Sequence, residues 1–148
     1  MDIVEISTRF DSLKSDYESL FEETADMIEL DTKQIKDALK NQLLLEVNWE
    51  LMSKKLSHLY DQCETEVESA YSDAVKDAMS DRYKEVTFTE AKVYAKANPT
   101  YKASVSLMHD IRHIRDECKG LESVVRSRKY ILNNLTNLVV AGSENHIL

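Results

Sequence analysis

Nine positions near the C-terminus recur at alternating steps of three and four: Ile111, Ile114, Cys118, Leu121, Val125, Arg128, Leu132, Leu135 and Val139. Eight are apolar and one, Arg128, is a charge set inside the seam. A seam of that period predicts a helix packed along another helix. An arginine within it calls for a specific partner, because an unpaired buried charge is costly. Val124, Ile131 and Leu138 repeat every seven residues, immediately before Val125, Leu132 and Val139, so the stripe widens past Leu121. A two-stranded coil needs only a narrow stripe. A wide one predicts more than one neighbouring helix, from this chain's own long helix or from other protomers.

Upstream, Ile3, Ile6, Phe10, Leu13, Tyr17, Leu20 and Phe21 follow helical spacing over residues 2–30. The opposite side is acidic, with Asp11, Asp16, Glu18, Glu22, Glu23, Asp26 and Glu29. Asp31 or Thr32 then offers an N-cap for a second helix that contains neither Gly nor Pro up to about Arg82. Roughly 50 residues at ~1.5 Å each predict a rod of ~75 Å. Its stripe of Leu56, Leu59, Cys63, Val67, Ala70, Ala74 and Ala78 has an eleven-residue repeat, which predicts nearly straight packing. The alanines allow a partner helix to approach closely.

Thr87-Phe88-Thr89-Glu90 has the form of a capping box and predicts a short helix to Ala97. Val86 to Phe88 is the best candidate for an extended stretch. Asn98-Pro99 starts the last helix, with Asn98 as cap and Pro99 in the first turn. That helix is expected to run to about Ala141 and stop at Gly142, leaving 143–148 as a frayed tail. The fold class predicted is all-α. Long amphipathic helices pack as in a coiled coil within a single domain, 1–148. Residues 1–86 form its acidic part, 87–142 its basic assembly helices and 143–148 the tail.

Composition agrees: 148 residues contain two glycines and one proline, too few for a turn-rich chain. The net charge is -8, which argues against a uniformly basic nucleic-acid binder. The charge is nevertheless uneven. Residues 1–90 hold 22 acidic and 10 basic side chains, and residues 91–148 hold 9 basic and 5 acidic. Such asymmetry points to an acidic partner at the C-terminal end or to protomers pairing opposite faces, the simpler account being ordinary solvated faces. Cys63 and Cys118 fall on apolar stripes, as reduced core cysteines of a cytoplasmic protein do. No apolar run is long enough to predict a membrane span.

Candidate chemistry is sparse. His109 and His113 share a helix face, but neither the acid nor the third ligand of a zinc site accompanies them. No phosphate-binding glycine loop and no Glu-x-x-His pair is present. The sequence therefore predicts no cofactor, no metal and no enzyme. The tyrosines fall on helical stripes as core residues do. Tyr60, Tyr71 and Tyr83 are the alternatives for stacking on bases. Small basic clusters lie at Lys54-Lys55, at Arg82 and Lys84, at Lys92, Lys96 and Lys102, at Arg112, Arg115 and Lys119, and at Arg126, Arg128 and Lys129. Copied around a symmetric ring, each becomes a positive band, so assembly turns an acidic monomer into a phosphate binder.

Asp116-x-Cys118-x-Gly120, followed by Val125-Arg126-Ser127-Arg128-x-Tyr130-x-Leu132-x-x-Leu135, resembles the C-terminal segment of the UvsY recombination mediators of tailed phages. Those carry an acid-x-Cys-x-Gly stretch, then aliphatic-basic-Ser-Arg-x-aromatic-x-aliphatic at the same spacing. The Thr-Glu-Ala-Lys helix and the Asn-Pro break also look like relatives of that family. The specific match covers about the last third of the chain. The resemblance implies a non-enzymatic factor of the cytoplasm (of the host cell, if phage-encoded). It would assemble through its C-terminal helix into a closed homo-oligomeric ring of more than two subunits. It would bind single-stranded DNA and help a RecA-like recombinase displace the single-strand-binding protein during recombination and repair.

The family's basic motif in the middle helix has no counterpart here. Residues 69–78 hold Asp73 and Asp77 and only Lys76. The DNA contacts are therefore expected at Lys54, Lys55, Arg82, Lys84, Lys119, Arg126, Arg128 and Lys129. Oligomerisation is expected at Ile111, Ile114, Cys118, Leu121, Val124, Val125, Leu132, Leu135 and Val139. The alternative is a structural or adaptor coiled-coil oligomer with protein partners only, including a DNA mimic whose acidic face at 11–29 occupies a partner's DNA groove. An enzyme on a helical bundle is the third reading.

Overall fold

The computed structural model describes residues 1–31, 35–80 and 85–145. Among these residues the chain is all-helical: α1 (Ile3–Asp31), α2 (Ile35–Met79), α3 (Phe88–Lys96) and α4 (Pro99–Asn145). At 45 residues α2 is a rod of ~67 Å, close to the expected length. The caps explain where helices begin. Asp2 Oδ1 accepts the Glu5 N–H at 2.9 Å ahead of α1. Thr87 and Glu90 close a reciprocal capping box on α3. Asn98 Oδ1 accepts from Thr100 and Tyr101 at 2.9 and 3.2 Å, with Pro99 as the first residue of α4.

Three local expectations are corrected. Asp31 belongs to α1 rather than capping α2, and the alternative cap Thr32 lies outside the described residues. Phe88 opens α3, so only the residues just before it are extended, with Thr87 at φ -70° and ψ 158°. Gly142 does not stop α4, which continues to Asn145, and no glycine has positive φ. A glycine ends a helix only where the chain turns into a left-handed conformation, and no such turn follows Gly142.

The chain forms two compact units, Met1–Ser12 with Leu56–Arg115, and Leu13–Lys55 with Asp116–Leu148. In the first unit Ile6, Phe10, Leu56, Leu59, Cys63 and Ile111 are buried. Tyr60 meets Arg112, Cys63 meets Ser104 and Tyr71 meets Tyr101, so α2 and α4 run antiparallel there. The alanine end of α2 has the close partner its narrowing predicts. Ala74 and Val75 pack on Ala91 and Ala95 of α3, flanked by Tyr71, Ala78 and Val86.

The second unit is built around Trp49. Its ring lies 5.8 Å from Tyr17, edge to face, and its indole N–H donates to Thr24 Oγ1 at 3.0 Å. Thr24 in turn donates to the Leu20 carbonyl at 2.7 Å. Leu45, Cys118, Val125 and Leu132 complete this core.

Candidate functional site

The last helix has three distinct faces. Its buried line is part of the predicted seam: Ile111 and Cys118 are fully buried, and Val125 and Leu132 nearly so. Ile114, Leu121 and Arg128 are half-buried, while Leu135 and Val139 are exposed. The chain's own helices thus occupy the seam at Ile111, Cys118, Val125 and Leu132. These four, predicted as oligomer contacts, are core residues of the protomer.

Within the second unit, Arg128 is held by α2. Gln42 is buried, its Nε2 donates to the Val125 carbonyl at 2.6 Å, and its Oε1 accepts from Arg128 Nη1 at 3.1 Å. One amide side chain therefore joins the arginine to the Val125 carbonyl and fixes the local register of α2 on α4. That placement makes Arg128 a structural residue more than a free phosphate contact.

Adjacent to the seam runs a second line that stays open to solvent. Val124 is 64% exposed, Ile131 60% and Leu138 68%. Gly120, Ser127, Leu135 and Gly142 continue it at steps of three and four, and all four are exposed or unobstructed. A Cβ placed on Gly120 would meet nothing within 4 Å. Packing within the protomer therefore gives no reason for a glycine there, although glycine costs about 1 kcal/mol inside a helix.

The third face is basic. Lys119, Arg126 and Lys129 are exposed on one flank of α4. Lys54 and Lys55 are exposed on α2 in the same unit. Two of these cations already have acidic partners: Lys54 reaches Glu50 at 2.9 Å and Arg126 reaches Glu122 at 2.7 Å. The Lys54 ammonium, by hydrogen bond and charge, holds the Glu50 carboxyl below its ordinary range, with Arg126 adding to the effect. The Lys54–Glu50 pair is exposed on both sides, and such pairs are weak and open readily to a stronger anion, whereas Glu122 is only 14% exposed. Arg82 and Lys84 lie outside the described residues.

Tyr60 and Tyr71 pack inside the first unit, as their helical spacing predicts. Tyr60 is buried, its hydroxyl accepts from Arg112 at 2.9 Å, and the Arg115 guanidinium lies 4.1 Å from its ring centroid. Tyr71 packs against Tyr101 with ring centroids 5.4 Å apart and the planes tilted by 54°. Both are occupied inside the first unit, and Tyr83 lies outside the described residues. Phe88 and Tyr94 on α3, which helical periodicity did not single out, are exposed instead.

His109 and His113 are exposed on α4. Among the described residues no group of three His, Cys, Asp or Glu side chains is placed to hold a metal ion. No helix among them is long and apolar enough to cross a membrane. Cys63 and Cys118 are free thiols, fully buried, and burial pushes each up to about 11. Compared with family models, with curated proteins and with solved structures, the chain finds no match in any of the three.

Proposed function

We propose that this chain is a recombination mediator of the UvsY type. It binds single-stranded DNA and helps load a RecA-like recombinase in place of the single-strand-binding protein, during homologous recombination and DNA repair in the cytoplasm. The observation that carries the reading is the open stripe of Val124, Ile131 and Leu138, which lies beside a seam already filled by the protomer. It falls within the segment that resembles the family's assembly helix. Burying one such side chain is worth about 1.5–3 kcal/mol, so a helix that covers all three has a substantial driving force for association. A contact between unlike patches closes into a ring when its rotation allows. The weak cation sites at Lys55, Lys119 and Lys129, with Lys54 and Arg126 released from their acids, are then repeated around the ring, and effective concentration strengthens each.

A second reading, a structural or adaptor oligomer with protein partners only, draws on a different observation. Leu43, Leu44, Val47 and Leu51 form another exposed apolar face, on α2, and the Lys54 and Arg126 charges are already paired with acids.

Light scattering with and without a single-stranded oligonucleotide separates the two. The mediator reading expects an assembly of more than two subunits that gains the mass of bound strand, with affinity falling steeply as salt rises. A monomer, or an oligomer that ignores single strands, refutes it. Equal affinity for duplex and single strand counts equally against it.

A further inference from the structure

We propose that α3, with the first turn of α4, is a contact surface for single-stranded DNA, in which Phe88 and Tyr94 stack on bases and Lys92, Lys96 and Lys102 hold phosphates. The inference rests on the reading of this chain as a single-strand binder and locates a surface that the basic clusters of the second unit do not include.

The construction of α3 supports it. Only Ala91 and Ala95 of this nine-residue helix are buried, pressed against Ala74 and Val75. Methyl-sized contacts seat the helix, and its larger side chains are left outside. Phe88 is 55% exposed and Tyr94 54%. These are two of the four large exposed aromatics among the described residues, the others being Phe21 and Tyr130. The capping box fixes the first turn, so Phe88 projects from an ordered backbone rather than a loose end.

One charge lies beside the Phe88 ring, and Tyr94 stands about 120° further round the helix. Lys92 Nζ sits 4.4 Å from the Phe88 ring centroid, which puts a cation and a π-surface at one place. Phe88, Lys92 and Lys96 recur every fourth residue, about 6 Å apart along the axis, on one flank of the helix. Lys102 is exposed one turn into α4. The single acid within α3, Glu90, turns back onto the Thr87 N–H at 3.3 Å. In a chain of net charge -8, this segment combines lysines with exposed rings. That combination suits a single strand, whose bases offer π-faces and whose backbone offers phosphates. An aliphatic protein contact would not require the lysines.

The test is fluorescence anisotropy of labelled oligo-dT with the full chain, at several salt concentrations. Phe88→Ala with Tyr94→Ala is expected to weaken binding on the order of tenfold for each ring lost. Phe88→Trp is expected to retain binding, with indole emission quenched as the strand is added. Lys92→Ala, Lys96→Ala and Lys102→Ala together are expected to make the salt dependence shallower by about two to three ions. All these side chains are exposed, so melting temperature and assembly mass should be unchanged. If the wild-type chain binds oligo-dT and the variants bind equally well, this surface is wrong and the mediator reading stands. If the wild-type chain binds no single strand, both fall. If the variants lose assembly mass rather than strand affinity, α3 is a protein interface and the proposal is overturned.

Discussion

Arg128 Nη1 donates to Gln42 Oε1 at 3.1 Å across 86 positions of sequence. The same glutamine donates to the Val125 carbonyl, so a buried amide is satisfied on both of its ends by one turn of α4. This pairing explains how a charge stands in an apolar seam. Arg128 is half-buried, and one guanidinium nitrogen donates to a neutral acceptor.

Arg128→Ala is expected to destabilise the second unit by about 1–2 kcal/mol, because it strips a donor from a buried acceptor. Gln42→Ala should cost a similar amount. In a double-mutant cycle measured by urea denaturation, the two losses should be clearly non-additive. Additive effects would mean that the contact contributes nothing. On the mediator reading Arg128→Ala also lowers the stability of the assembly, through the face of α4 it helps to hold in place.

The two neighbouring stripes of α4 should respond differently to a carboxylate. Val125 is buried, so Val125→Asp is expected to cost at least about 3 kcal/mol and to lower the protomer's helicity and melting temperature. On the mediator reading, Val124→Asp with Ile131→Asp should leave helicity intact and dissociate the assembly. Circular dichroism and light scattering on both variants decide the matter. An assembly indifferent to Val124 and Ile131 would remove the open stripe as its interface.

Gly120→Ala separates fold from assembly at one atom. A Cβ there is unobstructed and the glycine does not need positive φ. Replacement should raise protomer stability by about 1 kcal/mol through helix propensity and the unfolded chain's entropy. If a neighbouring helix approaches closely at Gly120, the same methyl weakens the assembly. On the mediator reading, a rise in melting temperature together with reduced mass at low concentration is the expected result. A variant that melts no higher would show that Gly120 is already constrained.

Stability should fall in alkali. Burial pushes the Cys63 and Cys118 thiols from 9.0 to about 11, with Glu66 and Glu122 adding to the rise. Burial and then Glu117 push Tyr17 from 10.0 to about 12. The fold favours the protonated form of each group, because the raised value lies above that of the unfolded chain. Their contribution is complete below pH 9 for the thiols and pH 10 for Tyr17, and is lost as pH rises towards 11 and 12. The urea midpoint should therefore hold steady to pH 9 and then decline. Cys63→Ala with Cys118→Ala should make the first part of that decline shallower. A midpoint independent of pH across this window would refute the assignment.

Much of this architecture can be read without coordinates. The stripe Leu56, Leu59, Cys63 and Ala74 faces inward as its spacing predicts. The capping box at Thr87 and Glu90 and the Asn98-Pro99 start of α4 form where the residues call for them. Helical periodicity and caps act over a turn or two of backbone, so the local sequence determines them. The choice between the Val125 and Val124 stripes was not legible in this way. The two lie only about 100° apart on one helix, and both are apolar enough to be core. What decides is the partner: Gln42 of α2 packs at Val125 and Arg128.

The aromatics follow the same division. Tyr60, Tyr71, Phe88 and Tyr94 are all large rings on helices. The first two are covered by Arg112, Arg115 and Tyr101 from distant sequence, while the last two are left in solvent. The sequence by itself determined the helices, the capped starts of α3 and α4, and which residues are apolar enough to be buried, because those follow from chemistry within a turn. Only the tertiary structure decided which apolar face is already used and which remains open, because burial depends on side chains that arrive from elsewhere in the chain.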